Sequence, residues 1–284
     1  MYLSIPAVRI NWNLRTNSIK SFLSYYWKAD IGGRKHSPFV QSFIREVLED
    51  DRHFYCYHWI EILSNHLKQD KTLLKVKDLG AGSRKKLSTE ARSIASIMKT
   101  AVSPKWQLEF LFRLVYSIQP KTKLELGTSL GISTLYQHFA NTSAQFYTLE
   151  GAEAILKVAQ QNFAQVKAKG IQTILGNFDE TLAPTLSKMQ QLDYAFIDGN
   201  HRREATLTYF EQCLPYCHAK TVLVFDDIHW SKGMEDAWKM IQNHPKVYLS
   251  IDLFYCGLIF FQSDHNQKTA LKLISSQYKP LKLF

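Results

Sequence analysis

An α/β fold built on one mostly parallel sheet is predicted by three observations. Short β-branched or aromatic runs recur at 123–127, 145–150, 171–176, 193–198, 221–227, 247–253 and 257–262. Most of the gaps carry helix-compatible spacing, as at 152–169 and 203–214, and strands that alternate with helices require right-handed crossovers and parallel pairing. The last two runs are joined only by Phe254, Tyr255 and Cys256, a link long enough for an antiparallel hairpin and too short for a crossover. The expected layout is a seven-stranded sheet, five parallel strands closed by one antiparallel hairpin, over residues 121–262.

Two further segments flank it. Residues 1–120 read as a mainly helical extension, with amphipathic stretches at 39–48, 57–67 and 108–118, that could cover a substrate cleft. Residues 263–284 read as a basic C-terminal tail. The 284 residues are 45% apolar, enough for a substantial core. The net charge of +10 is uneven: 19 Lys/Arg against 10 Asp/Glu in 1–120, 12 against 14 in 121–262, and 4 against 1 in 263–284. A sheet region with a slight acidic excess argues against a uniformly basic nucleic-acid groove. No apolar run approaches the length of a membrane span, and the first thirty residues hold no export signal, so a soluble cytoplasmic protein is expected. Cys56, Cys213, Cys217 and Cys256 form no Cys-x-x-Cys pair, and Cys213 and Cys217 are expected one turn apart on a helix, as reduced thiols.

Two glycine-rich loops compete for a nucleotide. In 76–86, Val-Lys-Asp-Leu-Gly-Ala-Gly-Ser-Arg-Lys-Lys, the glycines lead to three cations and then to an expected helical run at 88–99, with no second strand and no acid placed for a ribose. In 123–134, Lys-Leu-Glu-Leu-Gly-Thr-Ser-Leu-Gly-Ile-Ser-Thr, the loop opens a helix, and Glu150 ends the next strand, where a dinucleotide fold places its ribose-binding acid. The second loop is the expected cofactor loop of a Rossmann-like sheet. Gly127 and Gly131 permit close backbone approach, and the helix N-terminus with the Ser133 hydroxyl suits a carboxylate. Gly-Ile-Ser in place of Gly-Lys-Ser argues against ATP hydrolysis. The basic loop at 80–86 reads either as an anion nest clamping substrate or as a solvated turn.

The strand order and this loop together resemble the class I S-adenosylmethionine-dependent methyltransferases over about 140 residues, and Glu-Leu-Gly-x-x-x-Gly-x-Ser resembles the first motif of the catechol and caffeoyl-CoA O-methyltransferases. The resemblance implies S-adenosylmethionine as cofactor, held by Glu125, Gly127, Thr128, Ser129, Gly131, Ser133 and Glu150. It places adenine at Asn177, Phe178 and Asp179, where Asp179 either accepts from the exocyclic amine or caps the following helix. Asp198 and the pair Asp226 and Asp227 end two parallel strands, so their carboxylates should open on one crevice. In the resembling enzymes Asp, Asp and Asn hold magnesium at these positions, which implies a Mg2+ or other divalent site at Asp198, Asp226 and Asp227, with Asp198 also near the cofactor. Such a cation would stabilise an ionised acceptor hydroxyl.

The family's catalytic lysine position, three residues after the strand-four aspartate, holds His201, whose imidazole can accept a proton near neutral pH. His229 is the competing candidate. The expected activity is methyl transfer to a hydroxyl of a small, anionic or sugar-like acceptor. The alternatives are an RNA-modifying methyltransferase and a non-catalytic binding protein of the same fold. Oligomeric state has no signal in the sequence.

Overall fold

A computed structural model describes residues 16–32, 36–77, 89–262 and 268–279. The N-terminal part is helical: α1 (Thr16–Lys28), α2 (Pro38–Phe43) continued by a π-helical turn (Ile44–Leu48), and α3 (Tyr55–Leu67). A small antiparallel pair follows, β1 (Leu73–Lys77) with β2 (Thr89–Ser93), then α4 (Ile94–Thr100) and α5 (Lys105–Ile118). Within the run expected as helix at 88–99, residues 89–93 are therefore strand. Residues 89–93 pair in register with 73–77, and helix starts only where Ser93 caps α4 by accepting from the Ser96 amide. The glycine loop at 80–86 lies outside the described residues.

The main sheet alternates with helices as expected: β3 (Thr122–Leu126), α6 (Ile132–Ala140), β4 (Gln145–Glu150), α7 (Glu153–Gln165), β5 (Ile171–Leu175), α8 (Phe178–Met189), β6 (Leu192–Ile197), α9 (Arg203–Cys213), β7 (Cys217–Asp226), α10 (Lys232–Asn243), β8 (Leu249–Asp252) and β9 (Cys256–Phe260). From β8 the order across the sheet is β8-β9-β7-β6-β3-β4-β5. The strands β3 to β7 are mutually parallel, and β9 runs antiparallel between β7 and β8. An eighth strand, β10 (Thr269–Lys272), lies parallel to β8 where the sequence reading has a tail. Cys213 and Cys217 do not share a helix: α9 ends at Cys213, a 3-10 turn carries Pro215, and Cys217 opens β7. All four thiols are free.

The strands are mostly apolar on both sides because both faces are covered. On one side α5, α6 and α7 bury Leu111, Val115, Leu135 and Val158 against Phe196 and Val224, with α3 packed outside them through Tyr57 and Ile60. On the other, α8, α9 and α10 bury Leu182, Leu186, Phe210 and Trp238 against Leu126, Ala195 and Leu223. The helical extension thus contributes a layer to the same core. Among the described residues no helix is long and apolar enough to cross a membrane.

Candidate active site

The parallel strands β3, β4, β6 and β7 end along one edge, where three left-handed non-glycine residues gather. Ser129, Asn200 and Asp227, each just past the end of β3, β6 or β7, adopt positive φ of 48°, 51° and 54°. Left-handed non-glycine residues in three adjoining strand-end loops mark strain held by the surrounding fold, a frequent property of ligand sites.

The cofactor-loop candidates divide into a supporting layer and an upper surface. Glu125 is fully buried and accepts from Ser133 Oγ (2.7 Å), Thr134 Oγ1 (2.5 Å), Gln137 Nε2 (2.7 Å) and Thr148 Oγ1 (2.7 Å). Burial raises its pKa against the lowering effect of these donors. Its carboxylate is therefore committed beneath the loop. The Ser133 proton, expected to serve a cofactor carboxylate, is spent on Glu125. Thr128 is likewise buried, its Oγ1 2.6 Å from that of Thr148.

The two glycines admit protein rather than open space. A Cβ on Gly127 (φ 101°) would strike the Asp198 carbonyl, and one on Gly131 (φ 82°) would strike the Phe163 ring. Gly127 thus lets the β3 and β6 ends touch, and Gly131 lets α6 begin against α7. On the upper surface, Glu150 at the end of β4 accepts from the Ser129 amide and the Ala152 amide, each at 2.9 Å. The Ser129 hydroxyl is buried with no hydrogen-bond partner. Such an orphaned polar group on the loop fits a polar ligand lying against it.

The adenine candidates also separate. Asn177 is the N-cap of α8, its side chain accepting from the Asp179 amide at 3.2 Å. The cap is therefore not Asp179, whose Oδ1 instead accepts from the Tyr209 hydroxyl at 3.2 Å. The Phe178 ring lies over Gly199 and meets Tyr209 edge-on, with centroids 6.0 Å apart.

Asp198, Asp226 and Asp227 do come together with His201. His201 Nε2 lies 3.5 Å from Asp198 Oδ1 and 3.8 Å from Asp227 Oδ2, all three side chains partly open to solvent. Burial raises the pKa of each aspartate; for Asp198 the charges of Asp226 and Asp227 add to it, for Asp226 that of Asp227, while His201 opposes the rise at Asp227. Asp226 is 8% exposed, and its Oδ1 accepts from Gln107 Nε2 of α5 at 2.5 Å. Among the described residues no group of three or more His, Cys, Asp or Glu side chains is arranged to hold a metal ion. The divalent site expected at Asp198, Asp226 and Asp227 is thus without support from this arrangement, in which Gln107 holds one oxygen of Asp226.

His229 is placed differently. Its Nδ1 lies 3.3 Å from Glu235 Oε1, its Nε2 3.1 Å from Asp252 Oδ2, and its ring stacks on Phe254. With both nitrogens paired, His229 joins α10, β8 and the hairpin turn.

Gln107, Asn200 and Tyr209 are residues of the candidate site that carry no clear functional signal in the sequence. Gln107 opens an amphipathic helix 119 positions from its partner, and no local pattern announces that pairing. Asn200 stands beside Asp198 in Asp-Gly-Asn-His, where an Asn after Gly is a signal for a left-handed turn.

A parallel sheet with this order, a glycine loop after its first strand and an acid ending its second make up the Rossmann-like fold seen in class I S-adenosylmethionine-dependent methyltransferases. The family model described as Methyltransferase domain matches residues 124–228. An O-methyltransferase of Aspergillus hancockii, hkm8, is 31% identical over 138 residues, covering 46% of this chain and 54% of the relative. The chain thus spans about half the length of that curated relative. Two solved structures share the fold. The S-adenosylhomocysteine-bound methyltransferase PaMTH1 of Podospora anserina has a TM-score of 0.52 and 14% identity, covering 76% of this chain and 100% of the other. An O-methyltransferase of Bacillus cereus, also in complex with S-adenosylhomocysteine, has a TM-score of 0.50 and 17% identity, covering 78% and 97%.

Proposed function

We propose that this protein transfers a methyl group from S-adenosylmethionine to a hydroxyl of a small molecule, with His201 as the proton acceptor. The observation that carries the reading is the position of His201 between Asp198 and Asp227 at the strand edge, where the Asp198 backbone itself touches Gly127 of the cofactor loop. Proton acceptance and cofactor binding are then neighbouring functions of one crevice.

Glu150 would accept from the ribose hydroxyls, the backbone of 127–131 with Ser129 would line the amino-acid end, and Phe178 and Asp179 would face the base. S-adenosylmethionine, when bound, supplies an electrophilic methyl. The chain's own contribution begins with the acceptor hydroxyl, whose proton His201 Nε2 takes. Asp198 and Asp227 flank the imidazole that then carries the proton. Trp230, 60% exposed on the loop after β7, offers a ring face to a flat acceptor.

Calorimetry with S-adenosylhomocysteine tests cofactor binding, and mass-spectrometric detection of methyl transfer to a panel of small phenols and catechols tests the acceptor class. Glu150→Ala should weaken S-adenosylhomocysteine by roughly 1–3 kcal/mol. A protein that binds no S-adenosylhomocysteine refutes the proposal.

A further inference from the structure

Three side chains outside the reacting centre form a relay. Asn200 Nδ2 donates to the Tyr209 hydroxyl at 3.2 Å, and that hydroxyl donates to Asp179 Oδ1 at 3.2 Å. The direction is fixed by chemistry: an ionised carboxylate can only accept, so the tyrosine proton goes to Asp179, and the group offered to the phenolic oxygen by Asn200 must be its NH2. The relay joins the left-handed turn after β6, helix α9 and the first turn of α8.

Tyr209 is completely buried, whereas Asp179 is exposed at the crevice edge. A surface aspartate ordinarily samples several rotamers. Here a buried hydroxyl holds one of its oxygens, and Asn177 has already taken the capping duty that would otherwise occupy it. The second carboxylate oxygen is then aimed rather than free to wander.

Resting on the methyltransferase reading, we propose that Tyr209 is a positioning residue that fixes Asp179 as the acceptor for the exocyclic amine of adenine, making the site selective for a 6-aminopurine over a 6-oxopurine. A carboxylate oxygen matches an amine donor, and opposes the carbonyl oxygen that replaces it in hypoxanthine. Phe178, edge-on to the Tyr209 ring, keeps the wall in place when only the hydroxyl is removed.

The test is calorimetric titration with S-adenosylhomocysteine and with S-inosylhomocysteine. Wild type is expected to prefer the adenosyl compound by roughly tenfold or more, as for a hydrogen bond to a charged acceptor. Tyr209→Phe, with folding checked by its melting transition, should lower affinity for S-adenosylhomocysteine several-fold while leaving S-inosylhomocysteine within about twofold. Asp179→Ala should abolish the preference, and adding Tyr209→Phe to it should change nothing further. Should Tyr209→Phe weaken both compounds equally, or its effect add to that of Asp179→Ala, the tyrosine acts only on the fold and the proposal fails. A wild type that binds the adenosyl compound without preference also overturns it. If wild type binds neither compound, the methyltransferase reading fails first.

Discussion

Gln107 and Asp226, 119 positions apart, share a buried 2.5 Å hydrogen bond from the amide of α5 to the carboxylate that ends β7. Trp106, next to Gln107, packs on Tyr255 of the hairpin turn, ring centroids 5.2 Å apart. The helical extension therefore meets the sheet at the site itself as well as in the core.

Removing the donor should cost stability. Gln107→Leu leaves a buried carboxylate without this partner, at about 1–3 kcal/mol, and Gln107→Glu, which sets carboxylate against carboxylate, should cost more. Combining Gln107→Glu with Asp226→Asn exchanges donor and acceptor and should recover part of the loss in urea unfolding. Simple addition of the two single losses would show that the pair does not interact.

The two histidines should fail in different ways. With a catechol probe as acceptor, His201→Ala is expected to lower turnover by about 10²- to 10⁴-fold while affinity for S-adenosylhomocysteine is kept. His229→Ala breaks the pairs with Glu235 and Asp252, so its loss should appear in the unfolding midpoint, with turnover of the folded protein near wild type. Exchange of the two phenotypes would move the base to His229.

Chelation addresses the cation directly. Because Gln107 holds Asp226 and no three His, Cys, Asp or Glu side chains among the described residues are arranged for a metal ion, dialysis against EDTA is expected to leave methyl transfer unchanged, and added magnesium to give no gain. A tenfold loss reversed by magnesium would place a divalent ion among Asp198, Asp226 and Asp227.

Acid should act through His138. Burial, and secondarily the Lys123 charge, push its imidazole down to about 4, whereas in the unfolded chain it titrates near 6.5. The unfolded state therefore binds the proton first, and the stability this group confers is present above pH 6.5 and lost as pH falls towards 4. The loss is on the order of 3 kcal/mol. His138→Leu should flatten that limb of the stability profile; parallel curves for the two proteins would refute the assignment.

Legibility in the sequence followed the range of the interactions. Strands β3 to β9 were readable because alternating strand and helix periods and one short link restrict the topology, and Glu150 and Asp198 were readable because strand ends in a parallel sheet must converge. β2 was missed because Thr89, Glu90, Ala91, Arg92 and Ser93 carry no strong strand signal and are held extended by pairing with 73–77. β10 was missed for a similar reason: four residues, Thr-Ala-Leu-Lys, become a strand by lying beside β8. In the site, residue types forecast the assembly of Asp198, Asp226, Asp227 and His201. They could not forecast that Glu125 and Ser133 satisfy each other below the loop, or that Gln107 would arrive from a distant helix.

The pairing of β10 also limits how the chain can be trimmed. β10 covers the outer side of β8, and beyond it Leu273 bridges to Asp30 and accepts from the Tyr25 hydroxyl. A fragment cut to the sheet region at 121–262 would bare the backbone amides and carbonyls of Leu249, Ser250, Ile251 and Asp252 along a new rim. An open rim is a template for another copy's strand, so such a fragment should self-associate and precipitate more readily than the longer chain.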